Sequence, residues 1–157
     1  MRWPDPPLRV ALVEPEIPPN TGNIARLCAA VGSPLHLIGP LGFRLTSAAV
    51  RRAGLDYWDA VELVRHDRIE EFFAIVPPER CHFLSTGGQV SYTAVTYQSG
   101  DALVFGSESR GLPADLLTAH PDRVRAIPLL ADKVRSLNLA VATGIVVYEA
   151  LRQLQRG

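Results

Sequence analysis

A chain of 157 residues with 47% hydrophobic and 20% charged side chains is large enough for one core that hides roughly 70% of the unfolded surface, and too apolar to be disordered. Its 16 basic and 16 acidic residues cancel, so no global positive charge announces a nucleic-acid partner, although a local patch can serve instead. Cys28 and Cys81 lie far apart with no CxxC or Cys/His cluster, which argues against a zinc site or a disulfide framework and leaves them as buried small hydrophobes. No apolar run reaches the ~20 residues of a membrane span. The opening MRWPDPPLRV puts prolines where a signal peptide keeps its apolar segment, so the expectation is no metal, no membrane and the cytoplasm.

In chain order, Leu8 to Val13 is an apolar run closed by Glu14, Pro15 and Pro18-Pro19, which suits a buried parallel strand and a rigid loop. NTGNIARLCAAVG follows. Asn20, Thr21 and Asn23 are good caps, Ile24, Leu27, Cys28 and Val31 recur at helical spacing, and Gly32 predicts the stop. Such a helix start offers free N–H groups to an anion beside Arg26; the plainer reading is a capped helix with a solvated arginine. Leu35 to Gly39 predicts a second strand, and Ser47 to Ala53 a short helix carrying Arg51 and Arg52. Adjacent residues face different ways on a helix, so one of these arginines at most faces a given ligand. Tyr57-Trp58 is either a nucleic-acid contact or a partly buried aromatic pair.

His66 to Ile75 predicts an amphipathic helix with Ile69, Phe72 and Phe73 inward, Cys81 to Thr86 a third strand, and Ala102 to Phe105 a fourth. GSESRGLP comes next. Gly106 and Gly111 bracket a loop that enters a helix over Asp115 to Ala119, with Pro113 at its first turn. Strand, glycine-bracketed loop and helix make a common nucleotide site, yet neither the GxGxxG nor the GxxxxGK[ST] fingerprint is present. A tight turn with Glu108 paired to an arginine is the structural alternative. Val124 to Pro128 predicts a last strand. From Ile127 to Gln153 a polar loop with Asp132, Lys133, Arg135, Ser136 and Asn138 leads into a helix whose apolar residues cover most of its circumference, so burial on several sides is expected. Five strands alternating with helices predict an α/β domain with a mostly parallel sheet.

Three segments together, NTGNIAR, LVFGSESRGLP and IPLLADKVRSLNLAVATGIVVYEALRQ, resemble the ordered motifs of the SPOUT class of RNA 2′-O-methyltransferases. VALVEPEIPPNTGNIARLCAAVGSPLHLIGPLGF and RRAGLDYWDAVELVRH are most similar to its small tRNA methyltransferases of the wobble position, cytidine or uridine 34, so the resemblance covers nearly the whole chain. It implies a single domain over residues 1–157 with a carboxyl-terminal trefoil knot, a homodimer, tRNA as substrate and S-adenosylmethionine as cofactor. Carried over by position, Leu84, Gly106, Ile127 and Ser136 would hold the cofactor. Arg26, Asn23 and Glu108 match catalytic positions, with Glu108 or a phosphate oxygen as proton acceptor, because an arginine stays protonated. Arg51, Arg52, Arg110, Arg135 and Asn138 would contact RNA. Ser107 stands where such relatives usually carry proline, Ala140-Val141 where they carry Ser-Asn, and one residue is inserted between Ile127 and Ser136. Methylation of another tRNA or rRNA nucleotide, or a knotted module that binds without catalysis, remain as alternatives.

Overall fold

The computed structural model describes residues 3–45, 48, 52, 58–130 and 133–155. Arg51, Tyr57, Asp132 and most of the helix expected from Ser47 to Ala53 lie outside them. Six parallel strands, β1 (Arg9–Val13), β2 (Leu35–Ile38), β3 (Leu63–His66), β4 (Cys81–Leu84), β5 (Ala102–Phe105) and β6 (Val124–Arg125), form one sheet in the order β3-β2-β1-β5-β4-β6. Strands β2, β4 and β5 are buried along their whole length. That is why LHLI, CHFL and ALVF are legible as continuous apolar runs: both faces of a parallel sheet are covered.

Strand β3 was not expected, and His66 belongs to it rather than to the following helix. LVRH is a short edge strand with an exposed Arg65. Its apolar pattern is too weak to be seen, and its backbone pairing with β2, from Leu35 opposite Leu63 to Ile38 opposite His66, defines it. The helix begins only at Ile69 and is short, α2 (Ile69–Phe73), with Phe72 buried as expected.

Two layers of helix cover the sheet. On one face α1 (Pro18–Val31) and α4 (Leu139–Leu154) bury Ile24, Cys28, Val146, Val147 and Leu151 against Val10, Leu12, Leu35, Leu37 and Leu103. On the other, α2 and α3 (Ala114–Ala119) pack against Ala11, Val13, Ile38, Phe83 and Val104. Gly32 ends α1 with φ 74, the left-handed turn its glycine predicts. The start of α1 corrects the expectation of caps at Asn20 to Asn23. Ile17 is the N-cap, and Pro18 and Pro19 open the helix where a missing N–H costs nothing.

Helix α4, for which burial on several sides is expected, is buried on one side within this chain. Leu139, Thr143, Val146, Val147, Ala150 and Leu151 face inward, while Val141 and Tyr148 are each 53% exposed on the outer side. Chain order in the sheet reverses between β1 and β5, which opens a crevice at the carboxyl ends of the strands where ligands of such folds bind. At the far edge the chain before and after β6 is held from two sides. Ser85 N–H donates to the Arg125 carbonyl at 2.9 Å, while Ala126 N–H donates to the Val90 carbonyl at 2.8 Å and the Ala126 carbonyl accepts Tyr92 N–H at 2.9 Å.

Candidate active site

A cavity of about 610 Å³ occupies this crevice, between the carboxyl ends of β4 and β5, the chain after β6 and the first residues of α4. Leu84, Gly106, Ile127 and Ser136, widely separated in the chain, all line it. Leu84, Phe105, Ile127 and Leu137 supply apolar wall, and Ser85, Thr86 and Ser136 supply hydroxyls, the mixture expected of a small-molecule site.

The loop from Gly106 to Gly111 forms the tightest part of the wall. Gly111 N–H closes onto the Ser107 carbonyl at 2.9 Å, and Arg110 N–H donates to Ser107 Oγ at 3.2 Å. A Cβ on Gly106 would lie 2.0 Å from the Gly111 carbonyl carbon and 2.1 Å from Leu112 N. Gly111 needs glycine for a different reason, its φ of 68°.

Among the described residues, no arginine is paired with Glu108. Its Oε1 accepts Glu16 N–H at 2.8 Å, and its Oε2 accepts Ile17 N–H at 2.8 Å and Asn20 Nδ2–H at 3.2 Å. The carboxylate therefore sits on the positive end of α1. With prolines at the first two helical positions, and Asn20 and Thr21 N–H directed at the Ile17 carbonyl at 3.1 and 3.4 Å, the expected anion site at this helix start is already filled by Glu108. The reverse bond comes from Glu16, whose Oε1 accepts both the backbone N–H and the hydroxyl of Ser109, at 3.0 and 2.6 Å. These two bonds, outweighing the small effect of burial, hold the Glu16 carboxyl below its usual range, with help from Ser107 and the charge of Arg110.

Asn20 is the residue the sequence undervalued. Buried in the first turn of α1, it donates to Glu108 and accepts from Asn138 Nδ2–H at 3.1 Å. Asn138 in turn caps α4, accepting Ala140 and Val141 N–H at 2.9 and 3.2 Å. One polar chain thus joins the start of α1, the glycine loop and the start of α4. Asparagine at a helix start is its only signal in the sequence, and that signal reads as an ordinary cap.

Of the other expected residues, Glu108, Arg110, Arg135 and Asn138 line the cavity, and the two arginines are exposed. Asn23 and Arg26 do not line it; they lie exposed one turn apart on α1. Arg52 is exposed and also outside the lining. Cys28 and Cys81 are buried, and burial pushes both thiols up to about 12, which makes them inert. Among the described residues no group of three His, Cys, Asp or Glu side chains could hold a metal, and no helix is long and apolar enough to cross a membrane.

An all-parallel α/β sheet with an apolar-walled cavity at its carboxyl edge and a glycine cradle is the architecture of a cofactor-binding enzyme. The chain belongs to the SpoU rRNA Methylase family, whose model matches residues 7–148, and it is a methyltransferase. It is 50% identical over 149 residues to the tRNA (cytidine(34)-2′-O)-methyltransferase of Escherichia coli strain K12, covering 94% of each chain. The enzyme of the same name from Aeromonas hydrophila is 49% identical over 148 residues, again covering 94% of both. A solved structure concerned with 2-OH methylation of C/U34 on tRNA superposes with a TM-score of 0.87 at 49% identity, over 94% of this chain and 95% of that one. The AdoMet-bound rRNA methyltransferase of Sinorhizobium meliloti gives 0.83 at 29% identity, over 95% of this chain and 57% of that one.

Proposed function

We propose that this chain transfers a methyl group from S-adenosylmethionine to the ribose 2′-hydroxyl of the wobble nucleotide, position 34, of tRNA. The observation that carries the reading is the 50% identity over 94% of both chains to an enzyme named for that reaction, and the cavity fits it. Its walls combine the apolar Leu84, Phe105, Ile127 and Leu137 with the hydroxyls of Ser85, Thr86 and Ser136, and Gly106 leaves a backbone cradle that any Cβ would fill.

When bound, S-adenosylmethionine supplies an electrophilic methyl group. Leu84, Gly106, Ile127 and Ser136, which line the cavity, would hold it, Leu84 and Ile127 as apolar contacts for the adenine and backbone groups near Gly106 and Ile127 as partners for its polar atoms. Transfer requires the ribose oxygen in line behind the methyl, with its proton removed, and alignment supplies much of the acceleration. Arg26 stays protonated, so its role is to place the RNA and stabilise the developing alkoxide, with Asn23 beside it. Both oxygens of Glu108 are engaged by three donors. The proton therefore goes to a phosphate oxygen of the RNA, and Glu108 fixes the loops.

Arg110, Arg135 and Asn138 at the cavity and Arg52 outside its lining, together with Arg51, form the RNA-binding set. The working unit is a homodimer, favoured by the exposed Val141 and Tyr148 seven residues apart on α4, and the locale is the cytoplasm, where tRNA is. Residues 1–157 make one domain whose tail is threaded into a trefoil knot, a reading supported by the chain around β6 being held on both sides by residues 85–92. Purified protein incubated with S-adenosylmethionine and total RNA from a strain lacking the gene should restore 2′-O-methylation at position 34, mapped by mass spectrometry of nuclease digests. Methylation of a different nucleotide, or of none, would overturn the assignment.

A further inference from the structure

The loop that cradles the cavity, from Gly106 to Gly111, has no sheet ladder beyond β5 to hold its tip. Its internal bonds make it rigid, but they do not say where the rigid unit points. What fixes its direction is a pair of carboxylates that exchange places across the crevice. Glu108 reaches from the loop to the Glu16 and Ile17 amides, and Glu16 reaches back to the amide and hydroxyl of Ser109. Four bonds of 2.6 to 3.0 Å thus join two loops whose residues stand 91 to 93 positions apart. Bonds to a charged acceptor are roughly twice as strong as neutral ones.

Glu16 itself does not line the cavity, whereas Ser109, Ser107 and Arg110 do. Their proximity to its carboxylate shows in its acidity, lowered first by Ser109 and further by Ser107 and Arg110. Two bonds to Ser109, with Ser107 and Arg110 close by on the same loop, are more than a cap requires. On its other side Glu16 is two residues from the start of α1, the helix that bears Asn23 and Arg26.

We infer that Glu16, acting through Ser109, is a positioning residue for methyl transfer, setting the cofactor wall relative to the helix that presents Arg26. This rests on the function proposed above and adds a residue with no place in it. Without Glu16 the Glu108 half of the clasp remains, so the chain folds, but the tip of the loop is free to swing. The cofactor then meets a wall in several positions, and the reacting oxygen loses its alignment.

The full-length protein, tRNA and S-adenosylmethionine suffice for the test. Wild type, Glu16→Ala, Ser109→Ala and the double variant are compared for cofactor Kd by calorimetry and for kcat in tRNA methylation, with Tm recorded alongside. Glu16→Ala, which removes both bonds, should weaken cofactor binding about tenfold and lower kcat by a similar factor; Ser109→Ala, which keeps the backbone bond, should lose about fivefold; and the double variant should be no worse than Glu16→Ala, because residues of one contact are not additive. Ser109→Thr, which keeps the hydroxyl, should lose less than Ser109→Ala. Singles within twofold of wild type, or losses that multiply in the double variant, would overturn the inference. If Glu16→Ala fails to fold, Glu16→Gln takes its place, expected to retain the Ser109 bonds and to lose less than Ser109→Ala; equal loss counts against it. Failure of the wild type to bind the cofactor or to methylate tRNA would strike the proposed function instead, and the two failures are distinguishable.

Discussion

At the scale of single residues, the site depends on two glycines that are required for unlike reasons. Gly106 has no room: a Cβ would stand 2.0 Å from one backbone atom and 2.1 Å from another, and backbone cannot rotate away as a side chain can. Gly111 has room, with nothing within 4 Å, but sits at φ 68. A substitution there costs about 1–2 kcal/mol of conformational strain. Gly106→Ala should therefore open the loop and weaken S-adenosylmethionine binding more than tenfold in calorimetry, while Gly111→Ala should lower stability with a much smaller change in affinity. Equal affinities for the two variants would mean that the loop does not cradle the cofactor. These glycines were visible in the sequence because a glycine pair bracketing polar residues after an apolar strand is a local pattern. Asn20 and Glu16 were not, since a cap-type asparagine and a loop glutamate have many uses, and the partner of Glu16 stands 93 residues away.

Among the elements, the central strands were legible because β2, β4 and β5 are buried on both faces and must be apolar throughout. Edge strands escape that rule: β3, with its exposed Arg65, leaves no pattern of its own, and its last residue, His66, reads as the start of a helix that begins three residues later, at Ile69. The strand order, with β5 inserted beside β1, cannot be found from periodicity at all, since each parallel strand looks alike in sequence whatever its neighbours. Helix α4 shows the opposite case, an apolar sequence that one chain does not fully bury. Val141 and Tyr148 stay open and share one side at the spacing of two turns, and a soluble helix keeps large apolar groups outward at a cost unless something covers them. Tyr148→Glu would place a charge in the middle of that stripe. In light scattering after size exclusion, wild type should run at twice 17.1 kDa and the variant as a single chain. A wild type that is monomeric at micromolar concentration would remove the covered-helix explanation.

For the whole molecule, the outcome of burying ionisable groups away from the site is a fold that weakens in mild acid. His36 is fully buried on β2; Arg9 Nη1 donates to its Nε2 at 3.0 Å, and its Nδ1 lies 2.9 Å from Nε2 of His66. The two imidazoles stack 5.2 Å apart, with Phe72 of α2 edge-on to both. Burial first, then the charges of Arg9 and His66, lower His36 from 6.5 to about 4. Across the sheet, His82 is also lowered by burial, despite its 2.8 Å bond to Asp101 and with Arg125 donating to its Nδ1 at 3.2 Å. Between those two pH values the unfolded chain binds a proton at position 36 that the folded chain refuses, so stability rises with pH in this window and is lost as pH falls. The loss from His36 reaches up to about 3 kcal/mol by pH 4, with a limiting slope near 1.4 kcal/mol per pH unit. The Asp101 carboxyl, which burial would raise but which bonds from His82, Gln98 and Arg80 bring lower overall, adds its own loss only below the ordinary carboxylate range. Urea titrations at fixed protein concentration should show stability declining from pH 6.5 to 4.5, and His36→Gln should flatten that decline by about one proton whatever it does to stability at pH 7. An unchanged slope in the variant would mean that His36 does not govern the acid response.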